Sequence, residues 1–144
     1  MNLEYSDCMK RGKIKRFPRG KALVAKELET SCEDLGRAVK TFKDSDYKWA
    51  TIQVYYAMFH AARAMLYAKN LREHSHFCLI AAIRTLYVAT KEFPINLLEA
   101  FQEAKSLREE ADYHNRWSKA GCEKLLSLAT DFIKKAETIV KICK

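Results

Sequence analysis

The chain has 144 residues, 49% of them hydrophobic and 31% charged, the size and balance of one soluble domain with a true core. Only 4 Gly and 2 Pro argue against a turn-rich all-β fold, and no apolar run approaches the ~20 residues of a membrane span. The N-terminus has neither an apolar h-region nor a cleavage-like site, so no secretory signal is read and a cytoplasmic setting is expected.

Net charge is +8, unevenly placed. Residues 1–26 carry eight Lys and Arg against Glu4 and Asp7, whereas the rest of the chain is close to neutral. A cationic segment of this kind attracts the phosphates of nucleic acid or an acidic partner surface; the alternative is a solvated tail that aids solubility. The five cysteines, Cys8, Cys32, Cys78, Cys122 and Cys143, are odd in number, far apart and without a CxxC pair. That pattern fits reduced thiols, several of them buried as small apolar residues, and no cysteine metal site.

Residues 1–19 contain Gly12 and Pro18 and little periodicity. They read as a basic, irregular arm ahead of a single helical domain over 20–144. A first helix is predicted over 20–43, with Val24, Leu28, Ser31, Leu35, Val39 and Phe42 as its apolar stripe and Leu23, Glu27, Thr30, Asp34 and Arg37 on another face. Asp44 or Ser45 suits the N-cap of the next helix, and the short link implies an antiparallel hairpin. That second helix, 46–69, is uninterrupted by Gly or Pro. Ala50, Val54, Ala57, Ala61, Ala64 and Ala68 form a stripe of small side chains that admits a neighbouring backbone closely, which makes this the central helix of a bundle. Asn70 suits its C-terminus, and Ser75 suits the N-cap of a third helix over about 76–90 with Phe77, Ile80, Ile83, Tyr87 and Val88 inward. Pro94 forces a break. A fourth helix over 95–113 buries Leu97, Leu98, Phe101, Ala104, Leu107 and Ala111. Asn115 stops it, Ser118 caps a fifth helix over 118–142, and no convincing strand is read. The predicted fold class is all-α, an antiparallel bundle of about five helices.

Two constellations bear on chemistry. Tyr56, His60 and Arg63 share one face of the central helix at i, i+4 and i+7, and either line a cleft or are core residues with satisfied polar tips. Arg108, Asp112, Tyr113 and His114 fall at the end of the fourth helix. Arg presents a planar donor fork to phosphate, and His exchanges a proton near neutral pH. Together they suit metal-independent cleavage of RNA, His114 acting as acid or base on the ribose 2′-OH or leaving oxygen and Arg108 stabilising the charged transition state. On a continuous helix the two would face ~120° apart, so convergence needs the helix to end near Tyr113 or a second subunit to supply its own copy. The alternative is an Arg108–Asp112 ion pair with Tyr113 buried and His114 an exposed helix-end cation. His74 and His76 make an incomplete metal site, and they read better as residues at the start of the third helix that contact backbone or phosphate. No metal and no cofactor is called for.

The runs TIQVYYAMFHAARAMLYAKN, REHSHFCLIAAI and LREEADYHNRW, in this order, resemble a HEPN domain over about residues 20–142, closest to the small stand-alone prokaryotic proteins of that superfamily. The resemblance implies an antiparallel helical bundle, usually a homodimer. It also implies RNA cleavage, or partnership with a minimal nucleotidyltransferase, in toxin–antitoxin pairs. Arg108 and His114, with five residues between them, match the Arg…His spacing of HEPN ribonucleases; Glu109 and Arg116 stand where that pattern usually has another polar residue and a Tyr. The function expected is thus a toxin-type endoribonuclease. On that reading Tyr56, His60 and Arg63 line the same cleft and the basic arm holds the RNA. The alternative is a non-catalytic module that holds a nucleotide or a nucleotidyltransferase, with Arg108, Asp112 and Tyr113 structural or in contact with the ligand and His114 dispensable.

Overall fold

The computed structural model describes residues 3–142, the last of them in backbone only. The elements in chain order are α1 (Leu3–Lys10), β1 (Ile14–Arg16), α2 (Gly20–Lys43), α3 (Tyr47–Tyr67), β2 (Leu71–Glu73), α4 (His76–Ile83), α5 (Ile95–Tyr113) and α6 (Lys119–Ile142). A π-helical turn, Arg84–Val88, continues α4. The all-α reading holds for the body of the chain, and α2 and α5 have the predicted bounds.

The core is built around α3. Its small stripe is fully buried: Ala50, Val54, Ala57, Ala61 and Ala64 are all 0% exposed. Small side chains allow close backbone approach, and α2 uses this. Ser31 Oγ donates to the Ala57 carbonyl at 2.6 Å. A Cβ on Gly20 would lie 2.6 Å from the Tyr67 carbonyl oxygen, so only glycine fits where α2 begins against the end of α3. The partner pairs Phe42–Tyr47, Ser31–Ala57, Glu27–His60 and Gly20–Tyr67 run in opposite directions along the two helices, the antiparallel hairpin expected. Helices α5 and α6 cover other faces of α3, with Phe132 packed on Phe93 and Phe101.

The caps follow local chemistry. Ser75 accepts from the Cys78 N–H, and Asn70 and Asn115 take the left-handed conformation with φ of 55° each, as expected of Asn at helix ends. Ser118 accepts from the Gly121 N–H at 3.0 Å. The α3 cap is Asp46, which accepts from the Trp49 N–H, rather than Asp44 or Ser45; Ser45 turns the chain with φ 63°. The π-turn inserts one residue into the helical path that continues α4 and sends Tyr87 into the core, where its hydroxyl donates to the Met65 carbonyl.

Several expectations are corrected. Residues 3–10 are helical and 14–16 form a strand, so the segment read as irregular is structured where described. Strand β1 pairs antiparallel with β2, Ile14 opposite Glu73 and Arg16 opposite Leu71. Three-residue strands carry no period that a sequence reading can detect, and this pairing joins segments far apart in the chain. Cys8 and Cys78 form a disulfide joining α1 to α4, which overturns the reading of these two as free thiols; Cys32 and Cys122 are free. On α2 the buried face is Gly20, Val24, Ser31 and Ala38, whereas Val39 is exposed. Phe77 is likewise exposed, because α4 turns its Cys78–Ile83 face inward.

Candidate functional site at the carboxyl end of helix α5

Arg108 lies on the last turns of α5, facing α3. Its side chain is only 14% exposed. Nη2 donates to the Tyr56 hydroxyl at 2.8 Å and sits 3.3 Å from Asp112 Oδ2. The guanidinium carbon is 5.1 Å from the Tyr113 ring, 5.3 Å from Tyr56 and 6.0 Å from Tyr55. Three aromatic rings thus surround one cation, a geometry that favours the planar guanidinium. Burial alone would lower the Arg108 pKa, but Tyr56, Tyr113 and Asp112 outweigh it and the net shift is upward, so the charge is held firmly.

Helix α5 stops at Tyr113, and His114 is its C-cap. The turn at Asn115 then lets the Arg116 N–H close on the Glu110 carbonyl at 2.9 Å. The helix therefore ends where the sequence reading required it to end. His114 is exposed, and no described side chain engages its ring. The predicted Arg108–Asp112 pair is present, but Tyr113 is not buried: it is 65% exposed, with its ring over the guanidinium.

The second constellation lies further along α3. His60 Nδ1 is 2.7 Å from Glu27 Oε2, and its Nε2 is 3.8 Å from Asp34. Arg63 donates to both oxygens of Glu73, at 3.4 and 3.0 Å, and its guanidinium lies 3.9 Å from Glu27 and over the Phe59 ring. Burial works against the Arg63 charge, but the bonds and charge of Glu73 dominate and its pKa rises. Tyr56 joins Arg108, whereas His60 and Arg63 join a separate network with Glu27 and Glu73. The three residues share one face as predicted, with their polar partners divided between these two networks.

The sequence reading missed Glu73, Tyr55 and His76 as members of this seam. Glu73 is 5% exposed, a buried carboxylate placed by β2. Tyr55 and His76 Nδ1 share a hydrogen bond, and the His76 ring lies 4.9 Å from Phe59. His76 has a lowered pKa, chiefly from burial and then from Lys105. Burial and the neighbouring Tyr56 push the Tyr55 pKa above the ordinary tyrosine range, so Tyr55 keeps its proton beside a His76 held toward its neutral form. The shared face of Glu27 and Asp34 on α2 was visible, but nothing local showed which face of α3 it would meet. Among the described residues, no three His, Cys, Asp or Glu side chains cluster as metal ligands, and no helix is long and apolar enough to cross a membrane.

Fold and site together define an all-α antiparallel bundle whose central helix shares an arginine–tyrosine cluster with the end of a neighbouring helix. The HEPN domain family profile matches residues 24–144, and the chain belongs to that family. It is 26% identical over 95 residues to a Methanocaldococcus jannaschii protein described as "Putative toxin MJ0142", covering 66% of this chain and 65% of that one. The chain thus spans just under two thirds of that relative's length. In fold it is similar to the crystal structure of TT1696 from Thermus thermophilus, with a TM-score of 0.69 at 18% identity over 81% of this chain and 97% of that one.

Proposed function

We propose that this HEPN protein is a toxin-type, metal-independent endoribonuclease that works as a homodimer. Arg108 binds the scissile phosphate and His114 moves the protons. The observation that carries the reading is the end of α5: the helix stops at Tyr113, leaving His114 exposed one residue beyond it and close in sequence to a guanidinium already oriented by Tyr56 and Asp112. A fixed cation costs little reorganisation when charge develops on phosphate oxygens. An exposed imidazole is free to serve as base or acid. In the reaction, His114 takes the ribose 2′-OH proton and the 2′-oxygen bonds to phosphorus. The bond from phosphorus to the 5′-oxygen then breaks, and a proton goes to the leaving oxygen. The products are a 2′,3′-cyclic phosphate and a 5′-hydroxyl. The two-fold of a dimer brings a second Arg108–His114 pair to the same phosphate and supplies the second proton carrier.

Similarity to a protein described as a toxin supports the toxin assignment and, with it, an antitoxin partner. The test is cleavage of total RNA and tRNA in EDTA by the purified protein and by His114→Ala. Cleavage to cyclic-phosphate ends, reduced about 10²- to 10⁴-fold in the variant with unchanged circular dichroism, is the expected outcome. Equal cleavage by both proteins would remove His114 from the mechanism.

A second reading has its own support. Arg108 already has a hydrogen bond and an ion pair within the chain, as a purely binding or structural arginine would. On that reading the chain is a non-catalytic module that holds a nucleotide or a minimal nucleotidyltransferase. Absence of cleavage by the unaltered protein, with stable co-purification of a nucleotidyltransferase, would favour it.

A further inference from the structure

Beside the Arg108 cluster lies a surface that the proposed chemistry does not use. Trp49, in the first turn of α3, is 50% exposed, and Trp117, in the α5–α6 connection, is 45% exposed. Both indoles flank one ammonium: Lys48 Nζ is 5.5 Å from the Trp49 ring and 5.8 Å from the Trp117 ring. Asn115 Oδ1 accepts from the same ammonium at 3.3 Å, which ties the patch to the turn that follows His114. Lys119 extends it, 6.0 Å from the Tyr47 ring. Neither Lys48 nor Lys119 has a carboxylate partner among the described residues, whereas Arg116 is paired with Glu110. Helix α6 also opens at this end, and its N-terminus adds partial positive charge, whereas that of α3 is met by the Asp46 carboxylate.

Two large half-exposed indoles grouped around one ammonium make an exposed aromatic patch of the kind that marks an interaction site. The lysines say what covers them. A protein–protein contact excludes Lys from its centre, but here a Lys sits between the two rings. Nucleobases stacked on aromatic faces, with lysines meeting the intervening phosphates, satisfy both parts at once. A duplex hides its base faces within the stack and offers the indoles nothing.

We infer that Trp49, Trp117 and Lys48 form a stacking platform for unpaired bases, and that the substrate is single-stranded RNA. Its bases are seated on the indoles while the adjoining phosphate reaches Arg108 and His114. The inference deepens the endoribonuclease reading and rests on RNA being the substrate.

The chain has only two tryptophans, and both are in this patch, so intrinsic tryptophan fluorescence reports on the platform alone. The probe is a single-stranded 2′-O-methyl oligonucleotide of about 12 residues, the length of one site on a typical single-strand-binding protein, which binds without being cut through a 2′-OH; the control is its blunt duplex. Saturable quenching by the single strand, with little by the duplex, is expected. Trp49→Ala and Trp117→Ala should each weaken binding in an anisotropy assay about fivefold to a hundredfold, while Trp→Phe at either site keeps most of it. Lys48→Ala should flatten the salt dependence by about one phosphate contact.

Unquenched emission overturns the platform, as does a Trp49→Ala/Trp117→Ala double variant that folds and binds like the unaltered protein. If the double variant sediments at half the mass with RNA binding intact, the patch is an interface between copies and the platform is again overturned. Cleavage in EDTA separates the two proposals. Binding lost in the Trp variants of a protein that never cleaves leaves the platform standing and removes the nuclease. Cleavage with the same KM in the Trp variants does the reverse.

Discussion

Two polar regions share the face of α3, and they use their charges differently. Near the β2 end, Glu27, His60, Arg63 and Glu73 satisfy one another. Each has a partner within the chain, and Glu73 is almost fully buried. Near the α5 end, Arg108 is fixed by Tyr56 and Asp112, but Tyr113, His114, Trp117 and Trp49 stand in solvent. Residue types that look equally suggestive in sequence are paired with one another in one place and exposed in the other. What separates them is whether a carboxylate from another element arrives. Helix α2 and β2 bring acids to His60 and Arg63, whereas nothing described is brought to His114.

The sharpest way to break this contrast is to remove one histidine from each region. His114→Ala should abolish most cleavage and leave the urea midpoint unmoved, because the side chain is exposed and has no described hydrogen-bond, ion-pair or ring partner. His60→Ala should do the opposite, lowering the midpoint while retaining cleavage within a few-fold. A reversed pattern in the two assays would exchange the roles of the regions.

Next in size is the seam itself. Glu73→Ala leaves Arg63, whose side chain is one-quarter exposed, without its bidentate partner. Breaking a fully buried pair on one side costs on the order of 3 kcal/mol; with Arg63 partly solvated and Glu27 at 3.9 Å, the drop in unfolding free energy by urea titration should be about 1 to 2 kcal/mol. A midpoint unchanged in Glu73→Ala would mean that water or Glu27 replaces the lost carboxylate and that the seam is not what fixes β2 on α3.

The smallest effect is in pH. His76 has its pKa lowered by burial and by Lys105. The folded state therefore resists the proton that the unfolded state accepts near pH ~6.5. The stability that neutral His76 contributes is fully present above that value and is lost as pH falls from it through the lowered folded value. Thermal melts should show the midpoint decreasing over that window, and His76→Gln should flatten the slope. An equally steep slope in His76→Gln would assign it to another group, since the Tyr55–His76 bond would then not be its source.

The basic N-terminal segment adjoins the first region and not the second, because Ile14 of β1 lies opposite Glu73 of β2. Its cations are exposed as a nucleic-acid contact would require, but β1 docks it beside β2, at the far end of α3 from Trp49 and Tyr113. Helix α3 has 21 residues, which at 1.5 Å per residue spans ~30 Å. RNA held at both ends would have to run the length of the α3 face, past His60 and Arg63.

Much of this was legible from order and spacing alone. The bounds of α2 and α5, the Ala stripe of α3, the caps at Ser75 and Ser118 and the stop at Asn115 are local matters, decided by side-chain volume, hydrogen bonds to the nearest backbone and the tolerance of Asn for positive φ. The HEPN resemblance rested on the same runs. Tertiary structure alone decided which carboxylates meet His60 and Arg63, that Cys8 reaches Cys78, that two three-residue strands pair, and that the Tyr113 ring lies over Arg108. The pairings among these join elements distant in sequence, and the Tyr113–Arg108 contact forms where α5 ends beside α3. No periodicity encodes such an arrival, because the energy that drives it is shared across the whole core.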